Sequence, residues 1–453
     1  MAYTPPYPNG WVNDPAAAPP KPGETPVTAE ALDTIDQGIL DAHEQLDGRL
    51  SEATLNSTYA LAGASKRLPV LRIDTAGGAD VTSKEVYLNC TYDVPGAGSY
   101  PGRIRGRGNY TWSLPKKPFR VKLDTAAPIL GLPASKDFAL IANHYADDPS
   151  MINTAVAMRF GAKCAGLDWT PKFAPCEVFL NGMYWGVYLL MENVQIDDGR
   201  VPKPKVSGTT GLGVTGTYLM EVDARAVMEG NPHLTTSRGL KIAYDDPDGS
   251  VPEHVAYITD FIQDFEDALY TDGANWRQYI DLDSFIDWYL VEELFSNQDS
   301  AFSSSCKIWK SRDTETEVGK LHMGPLWDFG ISLGHAVNTA HPAQGWYTKS
   351  ASWYTRLFAI PEFQAALKAR WATFKPLVTG PGGLLSIIDS TALELSEAAD
   401  RDQQRWGYST TWAIESTTKR SWVRERVAWL DTQFSALGTT ASIYPRTFPA
   451  TFA

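Results

Sequence analysis

The sequence predicts an α+β fold, strand-rich in its first half and helical in its second. Two observations carry this. Period-two segments, VYLNCTYDV, PFRVKL and CEVFLNGMYWGVYLLMENV, fall between residues 86 and 194, and the last is two β-rich runs joined at Asn181-Gly182, the strongest short hairpin signal. Spacings of three and four then take over in EHVAYITDFIQDFEDALY, DLDSFIDWYLVEELFSN, PEFQAALKARWATF, LLSIIDSTALELSEAADRDQQRW and TKRSWVRERVAWLDTQF. One helix, SMINTAVAMRFGAKC, interrupts the strands, and short strands return at SSCKIWK and LHMGPLW. A functional centre is expected where the halves meet.

Ahead of the strands, residues 1–27 are rich in Pro and Gly and are expected to be an extended anchor without a core. Thr28 can cap a helix within 28–60, where Leu32, Ile35, Ile39, Ala42, Leu46 and Ala53 recur close to a coiled-coil seam. Gly38 and Gly48 each cost that helix roughly 1 kcal/mol, so it needs a partner. Self-association into a homo-oligomer is the expectation, and packing back on its own domain is the alternative. The main domain is expected over 68–437, with 438–453 as a tail.

The formal charge of -13, from 40 Lys+Arg against 53 Asp+Glu, speaks against nucleic acid as the main partner. Cys90, Cys164, Cys176 and Cys306 form no C-x-x-C pair and are read as inert thiols. The start MAYTPPYPNGW has no basic n-region followed by an apolar h-region, and no window of about 18 apolar residues occurs. The expectation is a soluble chain with no secretory signal and no membrane span.

The stretch GPLWDFGISLG sets Asp328 in an apolar run, where a carboxylate without a cation or donors is costly. In protein kinases an Asp of an Asp-Phe-Gly tripeptide holds the magnesium of ATP, and the other partners that phosphoryl transfer requires have candidates in this sequence. GRIRGRGN offers a Gly-rich turn with Arg103, Arg105 and Arg107, suited to phosphate oxygens. In PFRVKL the alternation buries Phe119, Val121 and Leu123 and turns Arg120 and Lys122 outward, with Lys116 and Lys117 leading in. Glu192 in LLMENV could pair with one of the lysines. Asp299 in LFSNQDS follows what reads as an amphipathic helix. Against each stands a plainer reading: a solvated basic strand edge for the cations, a strand-end acid for Glu192, a loop residue for Asp299. GLGVTG, Gly211 to Gly216, matches the dinucleotide fingerprint by letter but precedes the strand-like TYLMEVD, so it is read as a flexible loop.

The blocks RIRGRGNYTWSLPKKPFRVKL, FALIANHYADDPSMINTAVAMRFG, CEVFLNGMYWGVYLLMENVQI, GTYLMEVD, YLVEELFSNQDS, GPLWDFGISLG and WVRERVAWLDTQF resemble, in order, those of the CotH-type atypical protein kinases, first associated with spore coat protein H. The resemblance spans about 68–437. It implies a distant protein-kinase-like fold that uses ATP and Mg2+ (or Mn2+) to phosphorylate Ser or Thr hydroxyls of a protein phosphoacceptor. It implies Asp299 as the catalytic Asp, also near the metal, and Asp328 as the metal-binding Asp. Arg107, Lys117 or Lys122, and Glu192 correspond to the ATP-contacting set. Two positions depart from the family's pattern: Gly330 stands where W-D-F-D is often read, and Ser303 to Ser305 follow Asp299 where a second magnesium ligand such as Asn is expected.

NGWVNDP followed by TPVTAEALDTIDQGILDAH resembles the opening of bacteriophage tail- or head-fibre proteins. That implies a virion fibre or decoration protein on the particle surface, joined to other virion proteins through its N-terminus. Ile at successive seam positions favours more than two strands, hence a homotrimer. The alternative is a catalytically inactive kinase-like scaffold acting as a structural or host-surface-binding adhesin.

Overall fold

The computed structural model describes residues 68–144, 148–334, 342–407 and 412–438. The expected anchor (1–27), the helical segment (28–60) and all but the first residue of the tail lie outside the described residues.

Seven strands form the first half: β1 (Val70–Thr75), β2 (Leu88–Val94), β3 (Gly98–Gly106), β4 (Phe119–Ile129), β5 (Leu132–Ala142), β6 (Phe173–Leu180) and β7 (Met183–Glu192). They close into a barrel in the order β1-β2-β3-β4-β5-β7-β6, because β6 pairs in parallel with β1, Val70 opposite Glu177 and Ile73 opposite Leu180. Closure leaves no open sheet edge to be protected. The alternation of PFRVKL is realised: Phe119, Val121 and Leu123 pack inside with Ile104, Leu140 and Val178, while Arg120 and Lys122 face outward. At the β6–β7 turn Asn181 and Gly182 take φ of 51° and 76°, as a two-residue primed turn requires.

A second sheet runs β12-β11-β8-β10-β9, built from β8 (Tyr218–Val222), β9 (His233–Thr235), β10 (Lys241–Asp246), β11 (Cys306–Lys310) and β12 (Leu321–Met323). GLGVTG enters β8 through a single turn at Gly211–Gly213, with no helix behind it. That turn is tied down, since Ser207 N and Gly208 N donate to Gly213 O.

Among the described residues the helices longer than four residues are α1 (Asn153–Gly161), α2 (Pro252–Tyr270), α3 (Leu282–Phe295), α4 (Ser352–Leu357), α5 (Pro361–Thr379), α6 (Leu384–Trp406) and α7 (Trp412–Ser435). Asp281 caps α3 by accepting from Ser284 N at 2.8 Å. The expected amphipathic character of α3 is corrected here: every residue from Ser284 to Phe295 is buried. Two of its acids sit in the core because they are paired. Asp287 accepts two bonds from Arg370, one of 2.6 Å to Nε. Glu293 takes Arg426 at 2.6 Å and the backbone N–H groups of Tyr347 and Lys349.

Two neighbouring residues of α6 join the halves. Arg401 grips Glu177 of β6 with two bonds, 2.6 and 2.7 Å. Asp402 accepts from Lys116 Nζ and from Val187 N, each at 2.6 Å. Gly186, at φ 102°, makes room for it, since a Cβ there would collide with the Asp402 carboxylate. Among the described residues no helix is long and apolar enough to cross a membrane.

Candidate functional site

The C-terminal end of α3 starts the site. Ser296 takes a left-handed conformation that stops the helix, and Asn297 N closes the turn on Glu292 O. The chain then passes through Asp299 and lies against the loop 328–333. Gln298 N donates to Ile331 O at 3.1 Å and Leu333 N to Phe295 O at 2.8 Å. Asn297 Nδ2 donates to the main-chain O of Asp328 at 3.2 Å. From the other side Asn153, at the start of α1, donates to Gly330 O at 2.8 Å and Ser332 O at 3.1 Å. Two loops 29 positions apart in the chain are thus held in register by backbone bonds and two asparagines. Asp328 itself has φ +56°. A non-glycine residue there costs on the order of 1 kcal/mol, and such strain clusters at functional sites.

The cleft in front of Asp328 measures about 560 Å3 with its mouth and is bounded by the barrel rim. Pro118, Ile141 and Met191 give it an apolar wall, and Arg107 and Asp328 give it charge. A second cavity, between α5 and α7, is lined by Val378, Leu385, Val423 and Val427 and holds none of these groups. The chemistry therefore belongs to the cleft at the rim.

Charge in the cleft is strained. Partial burial and then the neighbouring Asp328 push the Asp299 carboxyl up to about 7, against the pull of Arg225 and a bond from Ser304. Asp328 is also raised, first by the protein atoms crowded around it, although its own face is open to water as at a cleft wall. Arg107 is the main cation opposing that rise. Below the pair lies Glu292, 3% exposed, with Oε2 lacking a partner among the described residues. Burial drives its carboxyl well above the ordinary range, opposed by a bond with Asn297. Beside the pair, Glu221 is committed to Lys307 and Ser305 N. Burial favours its neutral form, but Lys307 and the bond from Ser305 outweigh that and hold it ionised.

The residues singled out from sequence are placed as follows. Asp328 and Arg107 line the cleft, with the Arg107 guanidinium 5.4 Å from the Trp327 ring, and Asp299 lies behind that lining, near enough to Asp328 to be raised by it. Lys117 turns to the Tyr110–Ser113 turn, its Nζ donating to Trp112 O at 2.6 Å. Lys122 stands on the outer barrel face, 3.8 Å from Asp137. Glu192 is buried, but its partners are Lys172 N at 2.9 Å and Arg200 Nε at 3.4 Å, so the expected pairing with a lysine of the β4 segment is replaced by one with Arg200. Sequence reasoning did not single out Arg225, Glu221, Glu292 or Asn297, and it passed over Lys116. The one available signal was the Glu292-Glu293 pair inside an otherwise apolar run.

Among the described residues no three His, Cys, Asp or Glu side chains are grouped closely enough to cage a metal ion. Magnesium does not need such a cage, since it is commonly held by one or two carboxylates together with substrate phosphates and water. Asp299 and Asp328 fit that donor set: both are hard oxygen ligands, and both carry a raised proton affinity that a divalent cation relieves.

Barrel, second sheet and helices, with Asp299 and Asp328 on adjoining loops, define an α+β domain with a cleft at the junction of its halves. The model of the family described as CotH kinase protein matches residues 104–430, from within β3 to within α7, and the chain belongs to that family. No curated protein matches it.

Proposed function

We propose that the cleft binds Mg-ATP and transfers its γ-phosphate to a Ser or Thr hydroxyl of a protein. The observation that carries this reading is the placing of two carboxylates on adjoining, hydrogen-bonded loops, Asp328 lying close enough to Asp299 to raise it. In this account Asp328 would hold Mg2+ or Mn2+, whose charge would offset that of the phosphates. Arg107 faces the same phosphates, and the wall of Pro118, Ile141 and Met191 accepts the base. Asp299, whose carboxyl sits at about 7, accepts the proton of the attacking hydroxyl. Lys117, Lys122 and Glu192 are then supporting residues of the barrel and not phosphate contacts. Incubation with γ-labelled ATP and Mg2+ tests this: label on Ser or Thr that is lost in Asp299→Asn supports it, and equal labelling in that variant overturns it.

A second reading is a kinase-like scaffold without catalysis, favoured by Gly330 in place of a third carboxylate and by the commitment of Glu221 to Lys307. The fibre reading, a bacteriophage virion protein displaying this domain as a homotrimer, rests on the resemblance of residues 1–60. Light scattering of the full chain tests the trimer, and a monomer mass ends it.

A further inference from the structure

The outer face of β3 and β4 carries an unusual pairing. In register, Arg103 stands opposite Lys122 and Arg105 opposite Arg120, so like charges face one another across two successive outward positions. Directly opposed like charges destabilise a sheet. Lys84 adjoins the row through its main-chain oxygen, which accepts from Arg105, and Arg107 continues the row into the cleft. Arg105 and Arg120 are close enough to Arg107 to depress its proton affinity, after burial and against Asp328. Among the described residues Asp137 alone forms ion pairs with the row, at 3.1 Å to Arg120 and 3.8 Å to Lys122. Arg103 and Arg105 flank the Tyr87 ring at 5.5 and 5.1 Å, which fixes their stems without neutralising them. Four cations of the outer face, Arg103, Arg105, Arg120 and Lys122, with Asp137 as their one ion-pair partner among the described residues, in a chain of net charge -13, are a surface built for an anionic partner.

The chain contains one. Residues 28–57 carry seven carboxylates, Glu30, Asp33, Asp36, Asp41, Glu44, Asp47 and Glu52, against a single Arg49. We propose that this acidic segment docks on the Arg103–Lys122 face of the barrel of its own chain. Reach permits it. Ten residues lie between Ser57 and Leu68, and the eleven steps span roughly 36 Å of extended chain. From the start of β1 to Arg103 is two strand spacings of about 4.8 Å and a few residues of strand rise, in all about 25 Å. The docked segment would neutralise the row. This inference does not depend on the nucleotide reading.

Trypsin provides the test, because Arg49 is the one basic residue between Lys21 and Lys66. In the full chain, cleavage after Arg49 is expected to be slow at about 0.02 M salt and fast at about 0.5 M, where attraction between exposed charges is screened. The double variant Arg103→Gln/Lys122→Gln is expected to raise the low-salt rate about tenfold, since cleavage tracks the population of the undocked state. Both positions face solvent, and removing an opposed like-charge pair leaves the melting temperature unchanged or higher. If the double variant melts early, Arg103→Gln alone is read in its place. A wild-type rate independent of salt overturns the proposal. So does protection that persists in the variant, the result expected if self-association of residues 28–60 alone shields Arg49.

Discussion

Replacing Asp299 by Asn makes the protein more stable at neutral pH, and the size of the gain follows from the cleft. The Asp299 carboxyl is pushed from 3.8 up to about 7 by burial and by Asp328. In the unfolded chain it ionises near the ordinary value, so between those two pH values the folded state binds the extra proton. Its contribution is fully present below the unfolded value and is lost as pH rises through about 7. With each unit worth 1.36 kcal/mol, the loss reaches about 4 kcal/mol above pH 7, an upper figure because the titration is shared with the water-facing Asp328. Asn has the same shape, keeps an acceptor for Ser304 and carries no such cost. Urea melts of wild type and Asp299→Asn from pH 4 to pH 8 are expected to coincide at the acid end and to separate by up to about 4 kcal/mol at pH 8, the variant being more stable. Magnesium narrows the gap if the pair holds it. A variant equally stable or less stable at pH 8 refutes the claim that the two carboxylates are held together at a cost.

Other expectations concern the groups around the cleft. Asp402→Ala leaves Lys116, 0% exposed, with only Asn143 O and the Tyr188 ring and no counter-ion, so a loss of about 3–5 kcal/mol is expected in denaturant melts. A loss under about 1 kcal/mol means that the Lys116–Asp402 pair does not tie the barrel to α6. Glu292→Gln is expected to be nearly silent in stability, since burial favours the neutral carboxyl and an amide replaces it shape for shape. Glu292→Ala removes the support of Asn297 and is expected to cost about 1–3 kcal/mol. Destabilisation of Glu292→Gln as large as that of Glu292→Ala shows that an ionised carboxylate is needed there.

The local structure was readable wherever one face of an element meets water. Alternation placed Phe119, Val121 and Leu123 inside and Arg120 and Lys122 outside, and Asn181-Gly182 located its hairpin. Barrel closure was not readable, because the pairing of Val70 with Glu177 is a parallel contact across more than 100 residues that no local pattern encodes. The burial of α3 on every side was hidden for a related reason. Asp287 and Glu293 look like a solvated face until Arg370 and Arg426 arrive from distant helices. At the site, Asp328 was legible as a carboxylate in an apolar run, and Asp299 by its place after α3. The partner of Glu192 was not, since Arg200 reaches it from a loop with no regular period. Nor was the difference between Lys116 and Lys117: both precede β4, yet one is sealed against Asp402 and the other rests on Trp112.

The central claim is that Asp328 is a metal ligand for a bound nucleotide while Asp299 serves the acceptor hydroxyl. Calorimetric titration of ATP with and without Mg2+ into wild type, Asp328→Asn and Asp299→Asn tests it most directly. The account predicts Mg-dependent binding in wild type and a marked weakening of that dependence in Asp328→Asn, because an amide is a neutral and poorer ligand for a hard cation. It predicts nearly intact binding in Asp299→Asn. No heat at millimolar Mg-ATP in wild type, or a magnesium dependence unchanged in Asp328→Asn, contradicts it and leaves the cleft as part of a scaffold.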